Sequence, residues 1–139
     1  MYRYLIVGVV LLVSTTTFAQ EEKQEVIDRC KTQMGEYGAA MVKACVDQDL
    51  EALSALNASS DEHAAIKDRC MKQMREYGFN MVKACMDQDI EALSAIDNLP
   101  EEHAEIVEGC MKRMDGYGYS MIHACAEQDI EAAEALKNY

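Results

Sequence analysis

Cysteine and methionine are the residues whose types and spacing could do chemistry in this chain. In each of three segments, two cysteines and two methionines stand symmetrically around a Tyr-Gly dipeptide. Thiolate and thioether sulfur atoms are soft ligands that suit Cu(I). One hypothesis is therefore a soft-metal site in each segment, formed by Cys30, Met34, Met41, Cys45, Cys70, Met74, Met81, Cys85, Cys110, Met114, Met121 and Cys125.

The same symmetry favours disulfide bonds over metal ligation. A chain that folds back at each Tyr-Gly places the two cysteines of a segment opposite each other. Six evenly spaced cysteines behind a secretory signal are typical of a disulfide framework, in which the methionines fill gaps in the core. We therefore expect no metal site, and the predicted disulfides are Cys30–Cys45, Cys70–Cys85 and Cys110–Cys125.

A second pairing is also centred on a loop. It joins Cys45 to Cys70 and Cys85 to Cys110, across the boundaries between segments. It leaves two cysteines, the first and the last, without a partner, whereas the pairing within segments leaves none and makes each segment self-sufficient. A third possibility is one unbroken helix through each Tyr-Gly, which would place Cys70 and Cys85 roughly 22 Å apart along the axis.

Other chemistry has little support in the sequence. His63 and His103 occupy matching positions seven residues before a cysteine, whereas zinc-binding side chains on a helix usually stand closer. His123 replaces a lysine and is expected at the surface. The chain has no HExxH motif, phosphate-binding loop or nucleophile elbow, and an even cysteine count argues against a catalytic thiol. We therefore expect neither an enzyme nor a cofactor.

The segments belong to a tandem repeat of 40 residues, namely 20–59, 60–99 and 100–139. A set of 13 positions is identical in all three copies; in the middle copy they are Glu62, Cys70, Met74, Tyr77, Gly78, Met81, Ala84, Cys85, Gln88, Asp89, Glu91, Ala92 and Ala95. Repeats of this size stack side by side when each unit buries a face against the next.

Residues 1–19 have the character of a signal peptide. Arg3 is followed by the apolar stretch 4–13, which is too short to span a bilayer, and small residues precede a cleavage point after Ala19. A short membrane anchor is the alternative. Cleavage would leave residues 20–139 as one repeat domain, exported to the periplasm or the extracellular space.

Hydrophobic periodicity predicts two helices in each repeat. Ile66, Cys70, Met74 and Tyr77 form one helical stripe, with Ser60 or Asp61 as the cap and a left-handed Gly78 at its end. Asn80 and Ser120 are expected to cap the second helix. That helix carries two stripes and so needs two partners, its own hairpin and a neighbouring repeat; the stripes are Met81, Ala84, Cys85, Gln88, Ala92 and Ala95, and Val82, Met86, Ile90, Leu93 and Ile96.

A polar pair interrupts the second helix in every copy. It consists of a glutamine and an aspartate, and a buried amide or carboxylate requires hydrogen-bond partners. The structural interpretation is that the pair ties an adjacent loop or helix start. The functional interpretation is a row of acceptors on a concave binding face; the residues are Gln48, Asp49, Gln88, Asp89, Gln128 and Asp129.

Charge restricts the possible partners. The chain has 25 acidic residues against 13 lysines and arginines, giving a formal net charge of −12 at pH 7. Such a chain repels nucleic acid and anionic lipid head groups, so we expect neither nucleic acid nor, after signal cleavage, a membrane as partner. The hydrophobic half of the composition allows one buried core.

The run Cys-x3-Met-x2-Tyr-Gly-x2-Met-Val-Lys-Ala-Cys-x-Asp-Gln-Asp, at residues 70–89, resembles a motif of small secreted bacterial proteins without assigned activity. The unit is also loosely similar to Sel1-like and tetratricopeptide repeats, with paired cysteines in place of their usual Gly, Tyr and Trp spacing. This resemblance implies helical hairpins and a role in protein binding.

Together these patterns predict an all-α protein of three disulfide-stapled hairpins, arranged as a short solenoid or a compact six-helix bundle. The expected function is that of a secreted or periplasmic protein-interaction or structural module with an unidentified protein partner. Soft-metal binding is the first alternative, and a thiol redox role is the second.

Overall fold

The computed structural model describes residues 15–139, with side chains from residue 18 onward. Residues 1–14, which carry most of the predicted signal peptide, lie outside the described part. The described chain contains six α-helices and no strand, which confirms the all-α class. The helices are α1 Thr15–Met34, α2 Ala39–Ala58, α3 Ala64–Met74, α4 Phe79–Asp97, α5 Ala104–Arg113 and α6 Tyr119–Leu136.

The chain divides into two compact units with a boundary inside α2, between Asp47 and Gln48. The first unit holds α1 and the beginning of α2, and the second holds the remainder of α2 together with α3 to α6. The predicted repeat boundaries after residues 59 and 99 fall in the loops that follow α2 and α4. Helix α1 begins before the predicted cleavage point at Ala19 and continues through it.

Each repeat is a helical hairpin closed by its own disulfide. The disulfides are Cys30–Cys45, Cys70–Cys85 and Cys110–Cys125, with Cα atoms 5.7, 5.8 and 5.8 Å apart. These distances lie inside the range that a disulfide can bridge. The prediction of pairing within repeats is confirmed, and both the pairing across repeat boundaries and the unbroken helix are wrong.

A single glycine joins the two helices of each hairpin. Helix α3 ends at Met74, and one 3-10 turn, Arg75–Tyr77, leads to Gly78 at φ +125°. The equivalent Gly38 and Gly118 have φ values of +96° and +100°. Gly78 therefore has the expected positive φ, but its ψ of 160° is extended rather than left-handed helical, and α3 ends four residues before it. The second helix starts at the residue directly after the glycine, so the glycine ends the turn and is also the N-cap position of that helix.

The predicted capping side chains do not cap the helices. Neither Ser60 nor Asp61 makes a capping hydrogen bond, because the chain enters α3 through a 3-10 turn at Asp61–His63. Asn80 lies inside α4 and accepts a hydrogen bond from the adjacent N–H of Met81 at 2.8 Å. The start of α4 is instead bonded by a carboxylate from another repeat, described below.

Helix α4 is covered on two sides, as expected. It packs against α3 of its own hairpin and against α6 of the third repeat. Its buried residues are Phe79, Val82, Met86, Asp89, Ala92 and Ile96. The stripe through Val82 and Met86 is therefore in the core. The stripe that begins at Met81 is only partly so, because Met81, Ala84 and Gln88 face solvent.

The core of the second unit continues from one repeat into the next. Ile96 of α4 shares a buried cluster with Cys110 of α5 and with Ile122, Cys125 and Ala126 of α6. The burial of α3 follows its predicted stripe at Ile66 and Cys70, but Tyr77 is 58% exposed. The buried part of α3 therefore stops before Tyr77, although the helical periodicity predicts that this tyrosine is buried.

Replacing Gly118 by alanine is expected to destabilise the protein more than replacing Gly116. Both glycines have positive φ, so an alanine at either site is strained by about 1–3 kcal/mol. A Cβ at Gly118 would also lie 2.6 Å from Cζ of Arg69 and 2.7 Å from Oδ2 of Asp89, whereas a Cβ at Gly116 meets nothing within 4 Å. We expect Gly118→Ala to cost at least about 1 kcal/mol more, the lower end for overpacking.

Urea denaturation followed by far-ultraviolet circular dichroism measures this difference. Gly116→Ala is the matched control, because it carries the backbone strain without the clash. Equal losses for the two variants would show that the close approach at Gly118 contributes nothing beyond backbone strain.

Candidate functional site

The cysteine sulfur atoms proposed as soft ligands are held in disulfides. Cys30, Cys70 and Cys110 are fully buried, and a disulfide sulfur carries no thiolate charge. The methionines before each turn are half-buried, whereas those after each turn are exposed; the first group is Met34, Met74 and Met114, and the second is Met41, Met81 and Met121.

One group of three potential ligand atoms occurs in the described residues. It combines Cys110, Cys125 and Asp129, whose atoms lie within 4.8 Å of one another. Since the two cysteines are bonded to each other, this group offers one carboxylate rather than a set of thiolates. No histidine of the described chain belongs to such a group. Both His63 and His103 are half-buried, and so is His123, which was expected at the surface.

An arginine lies against the disulfide of the second repeat. Nη2 of Arg69 is 3.3 Å from Sγ of Cys70 and 3.5 Å from Sγ of Cys85. The same nitrogen donates to Oδ2 of Asp89 at 2.5 Å. Asp89 is 1% exposed, and a buried carboxylate requires a charged or hydrogen-bonding partner of this kind.

The third repeat builds the same contact from a different position in the chain. Gly109 stands where the second repeat has Arg69, and Arg113 stands where it has Gln73. Nη2 of Arg113 is 3.2 and 3.3 Å from the two sulfur atoms of its disulfide, and it donates to Asp129. A guanidinium group thus occupies the same place in both repeats, although it comes from one turn later in the third.

The buried aspartate of one repeat bonds the start of the second helix in the next repeat. Asp89 accepts hydrogen bonds from the backbone N–H groups of Tyr119 and Ser120, at 3.0 and 3.1 Å. Asp49 accepts one from the N–H of Asn80 at 2.9 Å. A carboxylate there satisfies N–H groups that lack a partner within the helix, and it interacts favourably with the helix dipole. We call this contact the inter-repeat joint.

The joint resolves the two interpretations of the Gln-Asp pair. Asp49 and Asp89 tie a helix start, which confirms the structural interpretation for both. They are buried, so they cannot belong to a row of acceptors on a binding face. Gln48, Gln88 and their equivalent in the third repeat are exposed, so the prediction that the amide is buried is wrong.

A second repeated feature lies on the surface. Several positions that are identical in all three copies are exposed, and packing does not explain them. On α4 the positions of Met81, Ala84, Gln88 and Glu91 follow the spacing i, i+3, i+7, i+10, which is one helix face. The tyrosine of the hairpin turn precedes this face. The three tyrosines are 58–64% exposed and the three methionines 44–48%.

We call this set the repeated surface stripe. It consists of Tyr37, Met41, Ala44, Gln48 and Glu51 in the first repeat; Tyr77, Met81, Ala84, Gln88 and Glu91 in the second; and Tyr117, Met121, Ala124, Gln128 and Glu131 in the third. Ala124 is half-buried, and the other members are exposed.

Neighbouring surface positions differ among the copies. Ser54 and Ser94 correspond to Glu134, and an alanine, an asparagine and a serine share the second position of the three second helices. Lysine also gives way to histidine at His123. Copies that have diverged at these exposed and half-buried sites have kept the stripe unchanged, so simple recency of duplication does not account for it.

The tyrosine of the second repeat stays neutral. A hydrogen bond to the carboxylate of Glu76, the negative charge of that group and slight desolvation raise the pKa of Tyr77 above its ordinary value. At physiological pH the phenol keeps its proton and donates it to Glu76, so its oxygen remains available as an acceptor on an exposed aromatic ring. A shallow groove of about 380 Å³ adjoins the repeated surface stripe. It is lined in part by Gln48 and Glu51 of the first repeat and by Ala84 of the second.

Two features of the site were not predicted from the sequence. The exposure of the tyrosines was missed because Tyr77 fits the period of the α3 stripe. The contact of Arg69 and Arg113 with the disulfides was missed because the two arginines are not at equivalent positions of the repeat. Arg69 aligns with Gly109, and Gln73 aligns with Arg113. This shift of the arginine by one helical turn was the one sign in the sequence that Arg69 and Arg113 share a role.

Three intramolecular disulfides indicate an oxidising environment outside the cytoplasm. None of the helices in residues 15–139 has both the length and the apolar character that crossing a membrane requires. No protein-family model, no curated protein and no solved structure matches this chain.

Proposed function

We propose that this protein is a secreted or periplasmic helical-repeat module that binds another protein through the repeated surface stripe and performs no catalysis. The observation that carries the proposal is the stripe itself, a helix face of largely exposed residues kept identical in three copies while neighbouring surface positions differ. Residues 1–19 act as the signal peptide that directs export in this proposal.

The composition of the stripe suits a protein surface. Tyrosine and methionine supply large apolar contact areas and are enriched in interfaces, and tyrosine is common among the residues that dominate binding energy. Gln88 and the phenol oxygen of Tyr77, the latter as an acceptor, add directional hydrogen bonds. Glu91 and its equivalents, together with the net charge of −12, favour a partner whose contact surface is basic.

Repetition should add to the affinity of such a surface. For a partner with more than one matching site, three equivalent contacts on one chain make the later binding events intramolecular, which raises avidity without new kinds of contact. The disulfides support this function by holding each hairpin in one conformation, because a rigid surface loses less conformational entropy on binding.

The test is quantitative capture from an extract of the cell envelope. We expect a variant in which Tyr37, Tyr77 and Tyr117 are all serine to bind captured partner at least about ten-fold more weakly than the native protein, equivalent to about 1.4 kcal/mol. The tyrosines are exposed, so the variant should fold normally, and its circular dichroism spectrum checks this.

A matched control variant replaces Lys43, Lys83 and His123 by serine. It changes three equivalent positions of the same helices outside the stripe, and we expect its binding to stay close to that of the native protein. Equal capture by the tyrosine variant and the native protein would contradict the assignment of the stripe as the binding surface.

A further inference from the structure

The surface of the third repeat retains the carboxylate side of the inter-repeat joint, which accepts the hydrogen bonds. Asp129 corresponds to Asp49 and Asp89, and its contact with Arg113 repeats the contact between Asp89 and Arg69. The side chain of Asp89 is 1% exposed, whereas that of Asp129 is 46% exposed. The Asp129 carboxylate is therefore held by Arg113 on an open surface. The equivalent surface of the second repeat is covered by the start of α6.

The apolar residues around this carboxylate are also retained. Leu56 and Ile96 are 2% and 7% exposed, and the equivalent Leu136 is 69% exposed. Ala92 is buried, whereas the equivalent Ala132 is exposed. The third repeat thus presents the leucine, alanine and aspartate that form a buried joint elsewhere, on an open face of α6.

The first repeat retains the other side of the joint. Gly38 has φ +96°, close to the +100° of Gly118, and α2 begins directly after it. A Cβ at Gly118 would clash with the incoming aspartate, but a Cβ at Gly38 would meet nothing within 4 Å. Ala39 and Ala40, which correspond to the residues whose N–H groups bond Asp89, are both exposed.

We propose that these two surfaces bind each other in different copies of the chain, so that the protein assembles head to tail. Asp129 of one copy accepts hydrogen bonds from the backbone N–H groups of Ala39 and Ala40 in the next copy. Leu136 and Ala132 cover the start of the same α2. The contact continues the joint that the chain already forms twice internally, between Asp49 and α4 and between Asp89 and α6.

The geometry has two consequences for assembly. The two contacting surfaces are different, so the interface is heterologous, and every added copy carries one unused surface of each kind until a ring closes. The product is therefore an open chain or a closed ring, and not a dimer joined by two identical surfaces. Ala39 stands where the internal joints have Phe79 and Tyr119, so the contact buries a smaller side chain and assembly should depend strongly on concentration.

Sedimentation velocity on the mature full chain tests the proposal. We expect the weight-average mass to rise with concentration into the high micromolar range and to reach at least twice the monomer mass. A mass that stays at the monomer value throughout that range would overturn the proposal.

Two single-end variants distinguish the orientation of the contact. Leu136→Glu places a charge on the open face of α6, and Ala39→Glu places one beside the site that Asp129 would occupy. Both positions are exposed, and glutamate near a helix start favours the helix, so both variants should fold. Each variant alone should remain monomeric, and an equimolar mixture should form a dimer and nothing larger.

Other outcomes overturn the proposal. If two α6 faces bind each other symmetrically, Ala39→Glu will self-associate like the native protein and the mixture will form no new species. Ser94→Glu is the matched control, because Ser94 is exposed on α4 and the third repeat has a glutamate at the same position. It should assemble like the native protein, and loss of assembly in this control would indicate a general charge effect. The repeated surface stripe is not part of this contact, so binding through the stripe is tested separately.

Discussion

Replacing Asp89 by alanine is expected to lower the free energy of unfolding by about 3 kcal/mol. Removal of one partner from a buried ion pair typically costs about 3–5 kcal/mol, and the 20% exposure of the Arg69 side chain places this case at the lower end. The variant leaves a guanidinium group without its carboxylate. It also leaves the N–H groups of Tyr119 and Ser120 without the acceptor that they have in the native protein.

Asp129→Ala is the matched control. Asp129 makes the equivalent contact with Arg113, but both side chains are about half exposed, and exposed pairs contribute about 0–1 kcal/mol. Urea denaturation at low protein concentration compares the two variants, with circular dichroism as the signal because the chain has no tryptophan. Similar losses for both would show that the joint at Asp89 contributes no more than a surface ion pair.

Removing the disulfide of the second repeat should have an effect of similar size. The bond joins cysteines separated by 15 residues, and the chain-entropy model gives about 3 kcal/mol for a loop of that length. We expect the double variant Cys70→Ala/Cys85→Ala to lose that amount in the free energy of unfolding. Whole domains are stable by only about 5–15 kcal/mol, so one disulfide is a large fraction of the total.

The double variant Cys110→Ala/Cys125→Ala separates loop entropy from local packing. Its loop has the same length, so the entropic model predicts the same loss. A difference in the free energy of unfolding between the two double variants would therefore come from the surroundings of each disulfide. One such difference is the arginine beside it, which is more exposed in the third repeat. A loss below about 1 kcal/mol in both would contradict the view that the disulfides hold the hairpins together. Titration of the native protein should find thiols only after reduction.

The hairpins were predictable because their evidence is local. Cys70 and Cys85 are equidistant from a Tyr-Gly dipeptide, and both the turn and the disulfide lie within one repeat. For Asp89 the sequence predicts only the kind of role, namely a hydrogen bond to some loop or helix start, and not the residues it bonds. Its partners are 30 and 31 residues further along the chain, and no periodicity within a repeat specifies which backbone groups meet it.

The wrong expectations have the same physical origin. Asn80 has the side chain that commonly caps a helix, but a carboxylate from the preceding repeat bonds its N–H group instead. Tyr77 continues the period of α3, but a 3-10 turn intervenes and rotates the ring towards solvent. In both cases the tertiary contact or the turn overrides a preference that is correct for an isolated helix.

The exchange between Gly109 and Arg113 affects how related sequences should be compared. Two columns of the repeat have changed, from arginine to glycine and from glutamine to arginine, and a column-by-column score counts two losses of identity. In space one positive charge has been kept beside one disulfide and one carboxylate. A search profile for this repeat should therefore accept an arginine at either of two columns, one turn of helix apart, and require it in only one of them.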